Sequence, residues 1–147
     1  MAAVRRAEAT WAGSLAEGSG MITYVTSGSI TRLPVTWGSR TAAADGRTSP
    51  EELLAAAHAS CYAMAFSGSL GRNGTPPSSL EVSATVTFDK LEAGWRIVSS
   101  ALTVRGVVPG IDAAAFASLA EATRDTCPVS TMMRGNVALS VEATLGG

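Results

Sequence analysis

The chain has 147 residues, is 46% hydrophobic and only 16% charged, and carries a net charge of -1. That length fits one domain able to bury a core without staples, and the near-neutral balance argues against a nucleic-acid partner, which would call for a basic patch. Charge this low leaves little polar surface for a small monomer and hints that a partner chain covers part of it.

MAAVRRAEATW has two arginines but no apolar stretch behind them, so no signal peptide is read. The longest low-charge run, Leu53 to Gly71, carries Ser, Gly and His and reads as too polar to span a membrane. A soluble cytoplasmic protein is the expectation, and in that compartment a cysteine pair is more often catalytic, redox-sensing or metal-binding than a stable disulfide.

Residues 6–11 and 20–26 read as short strands around the turn GSLAEGSG, and 29–37 as a third with Pro34 marking an edge or bulge. Residues 38–50 read as a loop. SPEELLAAAHASCYAMAFS then opens a helix: Ser49 is the N-cap, Pro50 suits the first helical position, and Glu52 completes a capping box. The helix should stop near Gly71 or Gly74. Its middle lacks a polar face, as in a helix buried all round.

SLEVSATVTFDK alternates, with Val82, Ala84, Val86 and Phe88 inward. Residues 94–108 return as the second arm of a hairpin. Asp112 caps a second helix whose apolar positions Phe116, Leu119, Ala120 and Thr123 lead to Cys127, and Pro128 breaks it. NVALSVEATL alternates again as a last strand. The order is α+β, with helices on mostly antiparallel sheet.

The two cysteines, Cys61 and Cys127, admit several readings. Free cysteine often only fills space. Metal binding is poorly served by two Cys and one His without close Cys spacing. A Cys–His hydrolase would need His58 to reach Cys61 along one helix, and His58 reads better as a core or interface histidine. For redox work, Cys61 is rigidly placed inside a helix while Cys127 stands at a break before Pro128, one fixed thiol and one mobile one.

SPEELLAAAHASCYAMAFS and GVVPGIDAAAFASLAEATRDTCPVS, with ATWAG, TSGSI and the following LP and R near the N-terminus, resemble the OsmC branch of the OsmC/Ohr family of osmotically inducible and organic-hydroperoxide-resistance proteins. The resemblance runs over nearly the whole chain. It implies a single OsmC-like domain over 1–147: N-terminal strands and loop in 1–48, a central helix in 49–73 carrying Cys61, and hairpin, second helix and last strand in 79–147. It further implies an intertwined homodimer, with antiparallel sheets wrapped around long buried central helices and active sites at the interface. The implied activity is a thiol-dependent peroxidase that reduces organic hydroperoxides to alcohols. Cys61 would be the peroxidatic cysteine and Cys127 the resolving one, joined in an intrachain disulfide during the cycle. Arg40 and Glu51 take the family's arginine and glutamate positions. No cofactor or metal is implied. The reductant would be a lipoylated protein or another dithiol. The rival reading is a non-catalytic dimer of the same fold that binds a hydrophobic ligand or senses oxidants.

The chemistry asks for these residue types. The nucleophile is the thiolate, and an unperturbed thiol is only about 3% ionised at pH 7. Depressing its pKa by two units takes about 2.7 kcal/mol, while burial pushes the wrong way. Arginine stays charged when buried, and Glu51 can hold its fork. Ten residues of helix rise about 15 Å, so Glu51 cannot touch Cys61 of its own helix, and a shared site would need Glu51 from the other subunit. Met64, Phe66, Met132 and Met133 are candidate apolar surroundings favouring an organic peroxide, with plain core packing as the alternative for each.

Overall fold

The structure is a computed structural model that describes residues 1–146. It divides into two compact units, Met1–Leu53 and the chain from Leu54 onward.

The first unit holds a three-stranded antiparallel sheet: β1 (Ala7–Ala12), β2 (Ser19–Val25) and β3 (Leu33–Val35), in that order. The third strand is shorter than expected, because Pro34 lies in its middle and cannot donate to the ladder. The expected loop over 38–50 contains a single helical turn, α1 (Gly38–Thr41), before a turn at Asp45 and Gly46, both at positive φ. Thr36 and Ser39 frame α1: Ser39 N–H donates to Thr36 Oγ1, and Ser39 Oγ donates to the Thr36 and Thr48 carbonyls.

Helix α2 (Pro50–Arg72) starts in the first unit and runs on in the second. Ser49 Oγ accepts from Glu52 N–H at 3.1 Å, as an N-cap should. The reciprocal arm of the expected capping box is replaced, since the Glu52 carboxylate accepts from Thr48 Oγ1. At the other end Gly74, at φ 81°, closes a Schellman motif: Thr75 N–H donates to the Leu70 carbonyl and Gly74 N–H to Gly71.

The second unit is a sheet in the order β4 (Ser79–Leu91), β5 (Gly94–Val107), β6 (Ala138–Gly146), with α2, α3 (Ala113–Thr126) and α4 (Pro128–Met133). β4 and β5 form the expected antiparallel hairpin. β6 pairs parallel to β5, so the sheets are mostly antiparallel, as expected, with one parallel pairing among the described strands. The physical reason is the connection: α3 and α4 carry the chain back across before β6 begins, and a crossover of that length permits a parallel neighbour. Asp112 caps α3, accepting from Ala115 N–H at 2.8 Å.

The core gathers Tyr62, Phe66 and Leu70 of α2, Leu102 and Val104 of β5, Phe116 and Ala120 of α3, and Cys127. Phe66 lies between Tyr62 and Phe116, with ring centroids 5.6 and 5.1 Å away. Gly106 of β5 faces the Phe116 ring so closely that a Cβ there would stand 2.8 Å from it, which excludes any larger residue without a shift.

Helix α2 is not buried all round within the chain. His58, Tyr62, Phe66 and Leu70, four apart, form its buried stripe. Ala56, Ser60, Met64, Ser67 and Gly71 form an exposed one of small or apolar residues, with Met64 70% exposed. The helix also has the length and composition to cross a membrane, with mean hydropathy 1.2, so the expectation that this run is too polar is corrected. Its buried stripe packs against β5 and α3, which is the use a core helix makes of an apolar face.

Candidate functional site

The second unit brings Cys61 and Cys127 together. Their sulfurs are 3.4 Å apart, both cysteines are free, and Cys127 donates its S–H to Cys61. A disulfide needs about 2.05 Å between sulfurs, so closure requires an approach of little more than an ångström.

Local sequence explains how each thiol is held. Cys61 sits in the middle of α2, one position before the buried Tyr62, whose hydroxyl donates to the Ala120 carbonyl of α3. Cys127 ends α3 and starts α4 at once: its N–H donates to the Thr123 carbonyl and its carbonyl accepts from Thr131 N–H. Its ψ of 130° is the extended conformation that the following proline requires. Cys127 is fully buried, whereas Cys61 is partly open. An outside reagent therefore meets Cys61 first.

Burial pushes the Cys61 thiol up from its ordinary pKa. The Val129 backbone N–H, donating to the sulfur from the first turn of α4, pulls it down, and Cys127 pushes it up again. The balance is upward, which disfavours the thiolate relative to an ordinary cysteine. Val129 was invisible to sequence reasoning because its contribution is a main-chain N–H.

The first unit brings Arg40 and Glu51 together. Arg40 Nη2 donates to Glu51 Oε1 at 2.6 Å, and Nε lies 3.2 Å from both carboxylate oxygens. The Glu51 side chain is 8% exposed and that of Arg40 27%, so this is a partly buried, two-point ion pair with a defined fork geometry. The guanidinium also lies 5.6 Å from the Trp37 ring centroid. Arg40 sits on α1, the helical turn that sequence reasoning read as loop.

Beside Arg40 the first unit opens a cleft of about 370 Å³ lined by Trp11, Leu15, Val35, Trp37 and Pro50. It is mostly apolar, with the guanidinium at its wall. No sequence signal marked it, since its lining comes from four separate segments. Of the side chains expected to give apolar surroundings, Phe66 and Met133 are buried, Phe66 in the core cluster, while Met64 and Met132 are 70% and 64% exposed.

His58, read as a core or interface histidine, is fully buried. Its Nδ1 lies 2.6 Å from Ser100 Oγ on β5 and its Nε2 2.8 Å from Ser130 Oγ on α4. Burial lowers its pKa below the ordinary value, which favours a neutral ring.

Comparison with known proteins gives consistent results. Residues 43–142 match the family described as OsmC-like protein. Over 138 residues, 94% of this chain and 95% of the relative, the chain is 36% identical to Peroxiredoxin OsmC of Escherichia coli (strain K12). It is 31% identical over 97 residues, 65% of this chain and 66% of the relative, to an organic hydroperoxide resistance protein of Xanthomonas axonopodis pv. citri (strain 306). Among solved structures it is similar to the organic hydroperoxide resistance protein OhrB of Bacillus subtilis, with TM-score 0.73 and 28% identity over 95% of this chain and 98% of that one. An organic hydroperoxide resistance protein from Elizabethkingia anophelis shares the fold at TM-score 0.74 and 22% identity, covering 99% of this chain and 100% of that one.

Proposed function

The chain belongs to the OsmC-like protein family, and from that premise we propose that it is a cysteine-based peroxidase that reduces organic hydroperoxides to alcohols. The observation that carries the mechanism is the pair of reduced thiols 3.4 Å apart, one partly open and one buried. The Cys61 thiolate attacks the outer peroxide oxygen, the O–O bond breaks, and the alkoxide takes a proton and leaves as alcohol. Cys61 is then a sulfenic acid. The Cys127 thiol condenses with it, forming the disulfide and releasing water. An external dithiol, a lipoylated protein by family resemblance, reduces that disulfide by exchange and is itself oxidised.

Cys61 needs a cation, because burial raises its pKa. In our reading Arg40 supplies it, and Glu51 fixes the guanidinium so that it can also stabilise the departing alkoxide. The pair is to come from a second copy of the chain. Along α2 the ten residues from Glu51 to Cys61 rise about 15 Å, which excludes a direct contact within one helix. The exposed stripe of α2, built of Ala56, Ser60, Met64, Ser67 and Gly71, suits close approach of another such helix. The working unit is then a soluble cytoplasmic homodimer, each chain a single OsmC-like domain, with the cleft beside Arg40 taking the organic part of the peroxide.

Complementation tests this. Cys61→Ser and Arg40→Gln homodimers should each be inactive. Reassorting them by mild denaturation and refolding should restore about a quarter of wild-type turnover, since half the dimers are mixed and each mixed dimer has one intact site. Failure to recover activity would place Arg40 and Cys61 of one site in the same chain. If the wild-type protein itself fails to turn over cumene hydroperoxide with dihydrolipoamide, the binding or sensing dimer replaces the enzyme.

A further inference from the structure

The peroxidase cycle leaves a buried histidine unused. His58 is fully buried and both its ring nitrogens are engaged across the fold, by Ser100 of β5 at 2.6 Å and Ser130 of α4 at 2.8 Å. A polar side chain enclosed this way is destabilising unless every nitrogen finds a partner, and a leucine would fill the space more cheaply. What the two serines add is position.

Helix α4 is six residues long, too short to hold its own geometry. Its first turn runs Pro128, Val129, Ser130 after Cys127 at the N-cap. Cys127 and Val129 touch Cys61 through a sulfur and an N–H, and Ser130 touches His58. His58 and Cys61 are three residues apart on α2, hence on one face one turn apart. The first turn of α4 is thus laid along a single turn of α2 by two attachments, and one of them is the reacting sulfur itself. The Cys127 and Val129 contacts are made to the sulfur that oxidation alters, whereas the His58–Ser130 hydrogen bond does not involve that sulfur. Ser100 fixes the far side of the ring to the central strand of the sheet.

We infer that His58 is a positioning residue for disulfide closure: through Ser130 it holds the first turn of α4 so that the Cys127 sulfur stays within reach of oxidised Cys61. This rests on the redox reading of the thiol pair. A neutral ring suits the role, because one nitrogen donates to a serine oxygen while the other accepts a serine O–H, and both hydroxyls can take either part.

The test separates the two steps of the cycle. Reduced protein is mixed with one equivalent of cumene hydroperoxide. Peroxide consumption reports attack by Cys61, and loss of dimedone trapping reports closure. In His58→Leu we expect attack within about threefold of wild type and closure slowed about tenfold or more. Longer-lived sulfenic acid should then be overoxidised to the sulfinic acid, a gain of about 32 Da, at a peroxide excess the wild type survives. His58→Gln, which keeps one donor and one acceptor, should recover most of the closure rate. Ser130→Ala, which removes one hydroxyl, should slow closure in the same direction and carries the test if His58→Leu does not fold. Phe116→Leu, a core substitution outside the attachment, serves as the stability control and should leave closure unchanged. Closure within about twofold of wild type in both His58→Leu and Ser130→Ala would overturn the inference and leave His58 a packing residue. If the wild type itself forms no disulfide, the redox reading fails instead, and the two failures are distinct.

Discussion

The two units solve opposite problems. From Leu54 onward the thiol pair stands on a hydrophobic core: Tyr62, Phe66, Leu102, Val104, Phe116 and Ala120 are all essentially inaccessible, and Cys127 is among them. In Met1–Leu53 the buried residues are Gly20, Thr48, Ser49 and Glu51, none of them a large hydrophobe, and β1 is exposed along its length. Trp11, Leu15 and Tyr24 are left 42–60% exposed. A segment of that size with so little apolar burial is marginal by itself, so its exposed apolar side chains call for a cover. In the proposed reading the reacting sulfurs lie on the part that folds around its own core and the activating charge on the part with little core of its own, so that the reaction would depend on assembly.

The largest expected effects fall on the thiols. Cys61→Ser should reduce peroxide consumption to the background of buffer alone. Cys127→Ser should still consume one equivalent, with a dimedone-trappable sulfenic acid left on Cys61, and then stall or overoxidise. If Cys127→Ser instead loses the first equivalent while Cys61→Ser keeps it, the roles of open and buried thiol are reversed.

Next in size is the loss of the arginine fork. Arg40→Lys should cut the second-order rate with cumene hydroperoxide by about 10- to 100-fold, because a lysine cannot make the two-point contact with Glu51 and the charge is no longer held in place. The sign can be read independently of turnover. Within its own unit Cys61 is pushed up by burial, so removing an activating cation should move the pH dependence of its alkylation to higher pH. Unchanged alkylation in Arg40→Gln, which removes the charge altogether, would confine Arg40 to substrate binding. Glu51→Gln keeps the shape but weakens the fork, and should cost about tenfold or less in rate with a smaller alkaline shift.

What could be read from the sequence follows from where each signal is written. The alternation of β4, Val82 to Phe88 inward, and of β6, Leu139 to Leu145, appears in the structure as half-buried against exposed positions. Ser49, Asp112 and Gly74 mark helix ends because each supplies a local chemical need. The parallel pairing of β6 with β5 was not legible, since a period of two fixes which face is buried but not which way the neighbour runs. The approach of Cys61 and Cys127 across 66 residues was expected from family resemblance, whereas the Val129 N–H beside them has no side-chain signature. His58 could be recognised as buried, but its partners lie 42 and 72 residues away and are serines among many. The apolar stripe of α2 was visible as composition. Its division into a buried and an exposed face required the structure, because both faces are built from the same small residues.

The smallest effect concerns acid, and it should arise in the unit with the core. His58 is buried and its pKa is lowered from 6.5 by that burial. In the unfolded chain the ring takes up a proton as the pH falls below about 6.5, while the folded protein resists it until lower pH. Proton uptake by the unfolded state favours unfolding, so the stability tied to a neutral His58 is present above pH 6.5 and is lost as the pH falls from there toward the lowered pKa. Carboxylates titrate in the lower part of the same range, so the comparison must be differential. Melting temperatures of wild type and His58→Gln, measured between pH 8 and pH 5, should run parallel above pH 7 and converge below 6.5, because glutamine has no proton to gain. Parallel curves throughout would mean that the ring accepts its proton as readily in the fold as in water. Ser100 and Ser130 would then both be accepting from an imidazolium. That state can still hold α4, but its charge would lie close to Cys61 and Arg40 would no longer be the only cation available to the thiolate.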